Sequence, residues 1–244
     1  MFDLVSMAVL TAGAAIVVFF LASALSETAP QRGMIAAAFA ALFAGVLTAG
    51  ANEIFSPAGV GTPGLGLGVV MPLLVLSALG LGTGRGRDAL RRVPLASLIG
   101  VHAVRVLGIV FVLLYAAKRL PAPFAPVAGW GDVAIGVTAI PLALLTRGER
   151  HVPKGLIFAW NALGLTDLVV AIALGTTSAP GALQVFQGGP SSAIMIGLPW
   201  LLIPGFLVPL LAFVHFCAFY RLRTLAPREQ SEPLRTMRMA APSS

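Results

Sequence analysis

Residues 101–115 read VHAVRVLGIVFVLLY. They sit inside a longer run, 95–117, that is apolar enough to cross a bilayer, for which about 20 mostly apolar residues suffice. The run nevertheless holds a histidine, His102, and three residues further on an arginine, Arg105. An ionised side chain at the middle of a membrane costs at least ~2.5–3.5 kcal/mol, so such groups turn toward protein and pair with an opposite charge. This one stretch therefore predicts a membrane-embedded helix bundle and a carboxylate elsewhere in it.

The composition agrees. Of 244 residues, 58% are hydrophobic and 10% are charged, with a mean hydropathy of +0.94. Soluble domains carry roughly 25% charged residues, and this chain lacks the polar surface they need. Seven stretches have the length and character of spanning helices: 4–25, 33–50, 64–82, 95–117, 126–145, 156–176 and 193–220. The predicted fold is all-α, a polytopic integral membrane bundle of seven transmembrane helices over residues 1–220. Residues 221–244, rich in Pro, Ser and Arg, read as a basic, disordered tail.

Basic residues orient the bundle, because cytoplasmic loops carry the excess of Lys and Arg. With the amino terminus outside, the inner side collects Arg32, Arg85, Arg87, Arg91, Arg92, Arg147, Arg150, Lys154, Arg221, Arg223, Arg228, Arg235 and Arg238. The outer side keeps Lys118 and Arg119, and Arg105 is intramembrane. The carboxyl tail is then cytoplasmic. The first stretch resembles a signal peptide in its "LASA", but it opens with Asp3 and no basic residue, whereas signal peptides start positively charged. It is kept as a span. High Ala, Gly and Arg with two lysines point to a bacterial inner membrane.

The same pattern removes several functions. The net charge of +7 is spread between apolar runs rather than gathered on one soluble face, so nucleic acid is not the expected partner. A lone Cys217 excludes an internal disulfide and a cysteine-built zinc site. No HExxH zinc motif or GxSxG turn is present, and enzymatic machinery is not visible. A retinal Schiff base needs a lysine within a helix, while Lys118 and Lys154 lie at span ends. Gly64, Gly66 and Gly68 imitate part of a dinucleotide fingerprint but have no strand before them; they read as loop and close packing. Pro30–Gln31, the single "PQ", has no counterpart at the fifth span.

Counting ~1.5 Å per residue from the span ends places Arg105, Asp132 and Asp167 roughly 15–20 Å from the inner edge, near the membrane centre. His102, Asn161 and His215 fall in a layer at ~8–10 Å. Arg105 is expected to pair with Asp132 or Asp167, with Asp167 favoured by depth. Two acids face one base, so the surplus carboxylate must be protonated, hydrated or paired with something outside the sequence. Asp132 is the expected titrating group. His102 and Asn161 are expected to pass its proton toward the cytoplasm.

Pro199, Pro204 and Pro209 predict a broken seventh span, since an interior proline removes a donor and clashes with the carbonyl four residues back. Asn52, Glu53, Gln184 and Gln187 suggest a polar outer mouth. The leading expectation is a small-solute transporter or permease of unassigned substrate, with a buried Arg/Asp network and proton coupling. The alternatives are a redox protein holding haem b between His102 and His215, and a non-catalytic membrane scaffold or assembly factor.

Overall fold

Of the 244 residues, the computed structural model describes residues 1–147 and 153–225. Among these, every regular element is helical. Where no water is available to backbone N–H and C=O groups, a helix satisfies them within its own segment, and these sequences offer long apolar runs. The helices are α1 (Phe2–Leu25), α2 (Ala29–Ala51), α3 (Gly61–Gly80), α4 (Gly84–Arg92), α5 (Leu95–Ala116), α6 (Phe124–Arg147), α7 (Lys154–Thr177) and α8 (Ile203–Thr224). All but α4 are long and apolar enough to cross a membrane.

The chain runs up and down, so contacts assign the described helix ends to one of two ends of the bundle. At the first end, Arg119 donates to both oxygens of Asp3 at 2.6 and 3.1 Å. Trp200 stacks near Phe2 and Arg119 there, and Ser192 donates to the carbonyl of Gly175 at 2.6 Å. At the second end, Arg92 pairs with Glu27 at 2.5 Å. There Arg91 reaches Tyr220, Arg221 the carbonyl of Val93 and Lys154 the carbonyl of Leu225. The described basic residues segregate accordingly, with Lys118 and Arg119 at the first end. Of the tail expected over 221–244, residues 221–224 are helical and continue the last helix. Arg150, Arg228, Arg235 and Arg238, and the tail beyond residue 225, lie outside the described residues.

Helix α8 is the centre of the bundle. Of its most apolar window 78% is buried, against 17% in α2 and 11% in α3. It differs from the expected seventh span of 193–220. Ser192–Ile196 is a separate 3-10 turn, and α8 begins only at Ile203, with a π turn over Ile203–Leu207. Pro199 thus precedes the helix, Pro204 lies in its first turn, and Pro209 follows directly on the π turn. The first turn has no internal acceptors for its N–H groups, so Pro204 removes nothing the helix uses. Pro209 is the seventh residue of α8, where the π turn just before it alters the hydrogen-bond register. The irregularity begins before the helix, at Pro199, and continues through the π turn into α8. This segment is covered by protein: Trp200, Leu201, Leu202 and Phe206 are at most 1% exposed.

Two further elements depart from expectation. The loop of arginines forms α4, which Thr83 caps by accepting from Gly86 N–H at 3.0 Å; Ala89 and Leu90 are buried beneath it. The helix α3 starts at Gly61, so Gly64, Gly66 and Gly68 are helical rather than loop.

The middle of α5 is the most unusual backbone. Val101–Gly108 winds as a 3-10 helix, longer than the three or four residues such stretches usually reach. This tighter coil meets α6 at backbone distance. A Cβ placed on Gly136 would stand 2.5 Å from the nitrogen of Val106, and one on Gly129 would stand 3.1 Å from the carbonyl oxygen of Gly108. Glycine at both positions is what lets the two helices touch.

Candidate buried charge cluster

In a 3-10 helix, residues three apart eclipse one another. His102, Arg105 and Gly108 consequently line one edge of α5. Gly108 lies against Asp132, Arg105 reaches across to α6 and α7, and His102 faces α8. On α6, Asp132 is flanked by Gly129 and Gly136, three and four residues away and so on the same face.

Arg105 is 2% exposed. Its Nε donates to Asp132 Oδ1 at 2.6 Å. Its Nη2 donates to Asp167 Oδ2. Its Nη1 donates to the carbonyl of Gly164 at 2.8 Å and meets His215 Nε2 at 3.2 Å. A guanidinium offers donors only, so His215 Nε2 accepts and the ring proton sits on Nδ1. That Nδ1–H donates to Asn161 Oδ1 at 2.8 Å, and Asn161 Nδ2 returns to the backbone carbonyl of His215 at 3.0 Å. Four of the five guanidinium N–H groups are used.

Every sequence-predicted polar residue of the two layers thus converges, and the layers join through the Arg105–His215 contact. Two expectations change. Arg105 takes both carboxylates, so Asp132 is not left as the unpaired acid; the excess negative charge belongs to the pair. And the hydrogen-bonded route does not pass through His102, whose ring nitrogens have no partner among the described residues. His102 instead lies face to face with His215, ring centroids 3.9 Å apart and planes at 23°, and edge-on to Trp160 at 5.7 Å.

That stacking also decides the fit of haem. Paired axial histidines aim one nitrogen each at an iron held between them. Here the two rings touch with no slot for a porphyrin, and both nitrogens of His215 are engaged. The residues present do not fit the group.

Sequence reasoning missed the carbonyl of Gly164 and the glycines that admit the charged side chains. A Cβ on Gly164 would stand 2.5 Å from His215 Cε1 and 3.4 Å from Arg105 Nη1, and one on Gly131 would collide with the Asp167 carboxylate. A signal was present: each charged residue has a glycine three residues away, Arg105 with Gly108, Asp132 with Gly129, Asp167 with Gly164. The polar mouth does not assemble as a group. Glu53 lines a cavity of about 310 Å³ with Asp3 and Arg119, whereas Asn52 bonds to the carbonyl of Thr48 and Gln184 to that of Phe186.

The cluster borders a void of about 30 Å³, lined by Arg105, Asp132 and apolar side chains including Phe111, Ile203 and Val208. The same three apolar residues line a second cavity of about 90 Å³ between α3 and α7. That cavity in turn shares Thr62, Thr176, Ala179 and Ile196 with a third, about 250 Å³, at the first end.

Residues 62–223 match the model of a family described as a domain of unknown function, DUF8737. The chain belongs to that family. The DUF8737 match includes Arg105, Asp132, Asn161, Gly164, Asp167 and His215, so the whole cluster falls within the family's region, whereas α1 and α2 precede it. No curated protein and no solved structure matches the chain.

Proposed function

We propose that this DUF8737 protein is a multi-pass protein of a bacterial inner membrane that moves a small solute across it, with proton exchange at the Arg105–Asp132–Asp167 cluster. Its amino terminus is external and its carboxyl end cytoplasmic, the orientation that puts the arginine-rich end inside. The observation that carries the reading is one buried guanidinium shared by two carboxylates. With both acids ionised the group carries one negative charge too many for a low-dielectric interior, where an uncompensated charge is costly. A proton or another cation balances it. The cavities stacked from the first end toward Asp132 support access from that side. Met195 and Ile196 before α8, with Ile203, Pro204 and Val208 at its start, line the 90 Å³ cavity and support a movable wall there.

The test is proton flux in vesicles. The purified protein, reconstituted with a pH-sensitive dye inside, is offered a panel of small solutes under an imposed pH gradient. One or more solutes should change the internal pH in wild type. Asp132→Asn and Asp167→Asn should each abolish that change, since either makes the triad neutral without altering its shape. Coupling that survives both substitutions refutes the assignment.

A further inference from the structure

Resting on that reading, we infer that the solute is a small organic ammonium: a primary amine with a compact apolar body, its charged head on Asp132.

Three independent features converge on this class. The first is the charge count, which calls for a cation. The second is a free acceptor at the right place. Asp132 Oδ1 is occupied by Arg105, while Oδ2 has no donor among the described residues and Asp132 lines the 30 Å³ void. That void holds about two waters, at roughly 10–15 Å³ each, which is the scale of an ammonium head. The third is the character of the adjoining space. The 90 Å³ cavity has room for roughly six to nine waters by the same measure, yet it is walled by side chains such as Leu65, Val69, Phe111 and Ile172. Water gains little there, whereas a hydrocarbon body gains about 25 cal/mol per Å² removed from water. Phe111, Ile203 and Val208 line both spaces, so the two adjoin, and a molecule that turned these side chains aside would place its body in one and its head in the other.

An anion is disfavoured at this position because it would meet the unshared carboxylate oxygen, and Arg105 has four of its five donors committed to Asp132, Asp167, Gly164 and His215. A neutral polar solute would leave the excess charge to be balanced by a proton alone.

The experiment is calorimetric titration of the full chain in detergent micelles with three probes of one shape, cyclohexylamine, cyclohexanol and cyclohexanecarboxylate, each corrected against empty micelles. Saturable binding of the amine alone is expected, weakened at least about tenfold, or ~1.4 kcal/mol, by Asp132→Asn. Gly66→Leu keeps the proposal testable should Asp132→Asn fail to fold. Gly66 lines the larger cavity, and a Cβ there meets open space, so leucine fills the cavity without touching the charged cluster; it should weaken the amine to the same degree. Equal binding of amine and alcohol, preference for the carboxylate, no saturable binding of any probe, or amine binding indifferent to Gly66→Leu would each overturn the inference. Because micelles hold no gradient, the result separates from the transport reading. Amine binding without vesicle flux refutes transport and leaves the ligand class. Flux of some other solute without amine binding does the reverse.

Discussion

At the scale of single residues, Arg105 is the group on which the interior depends. Removing one partner of a buried ion pair costs ~3–5 kcal/mol, because the other charge is left unpaired, and here one substitution strands two carboxylates. Arg105→Leu should therefore lower the unfolding temperature in detergent far more than Asp132→Asn alone does. The triple variant Arg105→Leu, Asp132→Asn, Asp167→Asn should recover much of the loss. A triple variant no more stable than Arg105→Leu would show that the charges are not what holds these helices. Asn161 tests the next link. It both accepts from His215 Nδ1–H and donates to the His215 carbonyl, so Asn161→Leu leaves a buried N–H without an acceptor, at a cost of ~1–3 kcal/mol. The ring is then free to turn away from Arg105. Nitrogen-labelled imidazole NMR should show His215 shifting from the Nδ1–H form to a tautomeric mixture, and an unchanged spectrum would sink the assignment.

At the scale of elements, the association of α5, α6 and α7 depends on glycine more than on large apolar side chains. Without a hydrophobic drive between helices in lipid, small residues that permit close approach and good packing take over that role. The contact at Gly136 is against main chain, which has no rotamer to yield. Gly136→Ala should cost ~1–3 kcal/mol, the usual range for overpacking, and should disturb the 3-10 stretch that aligns His102 with Arg105. Gly45→Ala is the contrasting case. It is an exposed helical glycine whose Cβ meets nothing, and alanine there should stabilise by ~0.5–1 kcal/mol. Thermal unfolding of the two variants side by side decides it; similar effects would mean the close approach of α5 and α6 contributes little. Three prolines five apart look like a helix broken repeatedly, but folded against the bundle they belong to a buried entry segment and the first turns of α8.

At the scale of the molecule, the two ends differ in charge, and that difference predicts orientation. A periplasm-active reporter joined after Ser244 should stay silent, while one active only in the cytoplasm should give signal; the opposite result would invert the whole bundle and move the cavity mouth to the cytoplasmic face. The bidentate Asp3–Arg119 pair at the first end ties the start of α1 to the turn after α5. The arginine of this pair is held further into its charged form by the carboxylate it bonds. Being largely exposed, that pair is an orienting contact rather than a large source of stability.

The sequence by itself determined how many helices are long and apolar enough to span a membrane, where six of them run to within a few residues, and which polar side chains must meet. Those follow from local quantities: the length of an apolar run, and the cost of a charge in hydrocarbon. It also grouped Arg105 with Asp132 and Asp167 in one layer, and His102 with Asn161 and His215 in another, because residues at equal depth in a bundle have few places to hide. What only the tertiary structure decided was how they meet. Whether Arg105 serves one acid or two, whether two histidines flank a gap or lie on one another, and where a proline-rich helix begins all depend on the distance and rotation between helices. Those are set by glycines packing against backbone and by a 3-10 turn. Such contacts join residues such as Gly136 and Val106 across different helices, and no periodicity along the chain encodes them.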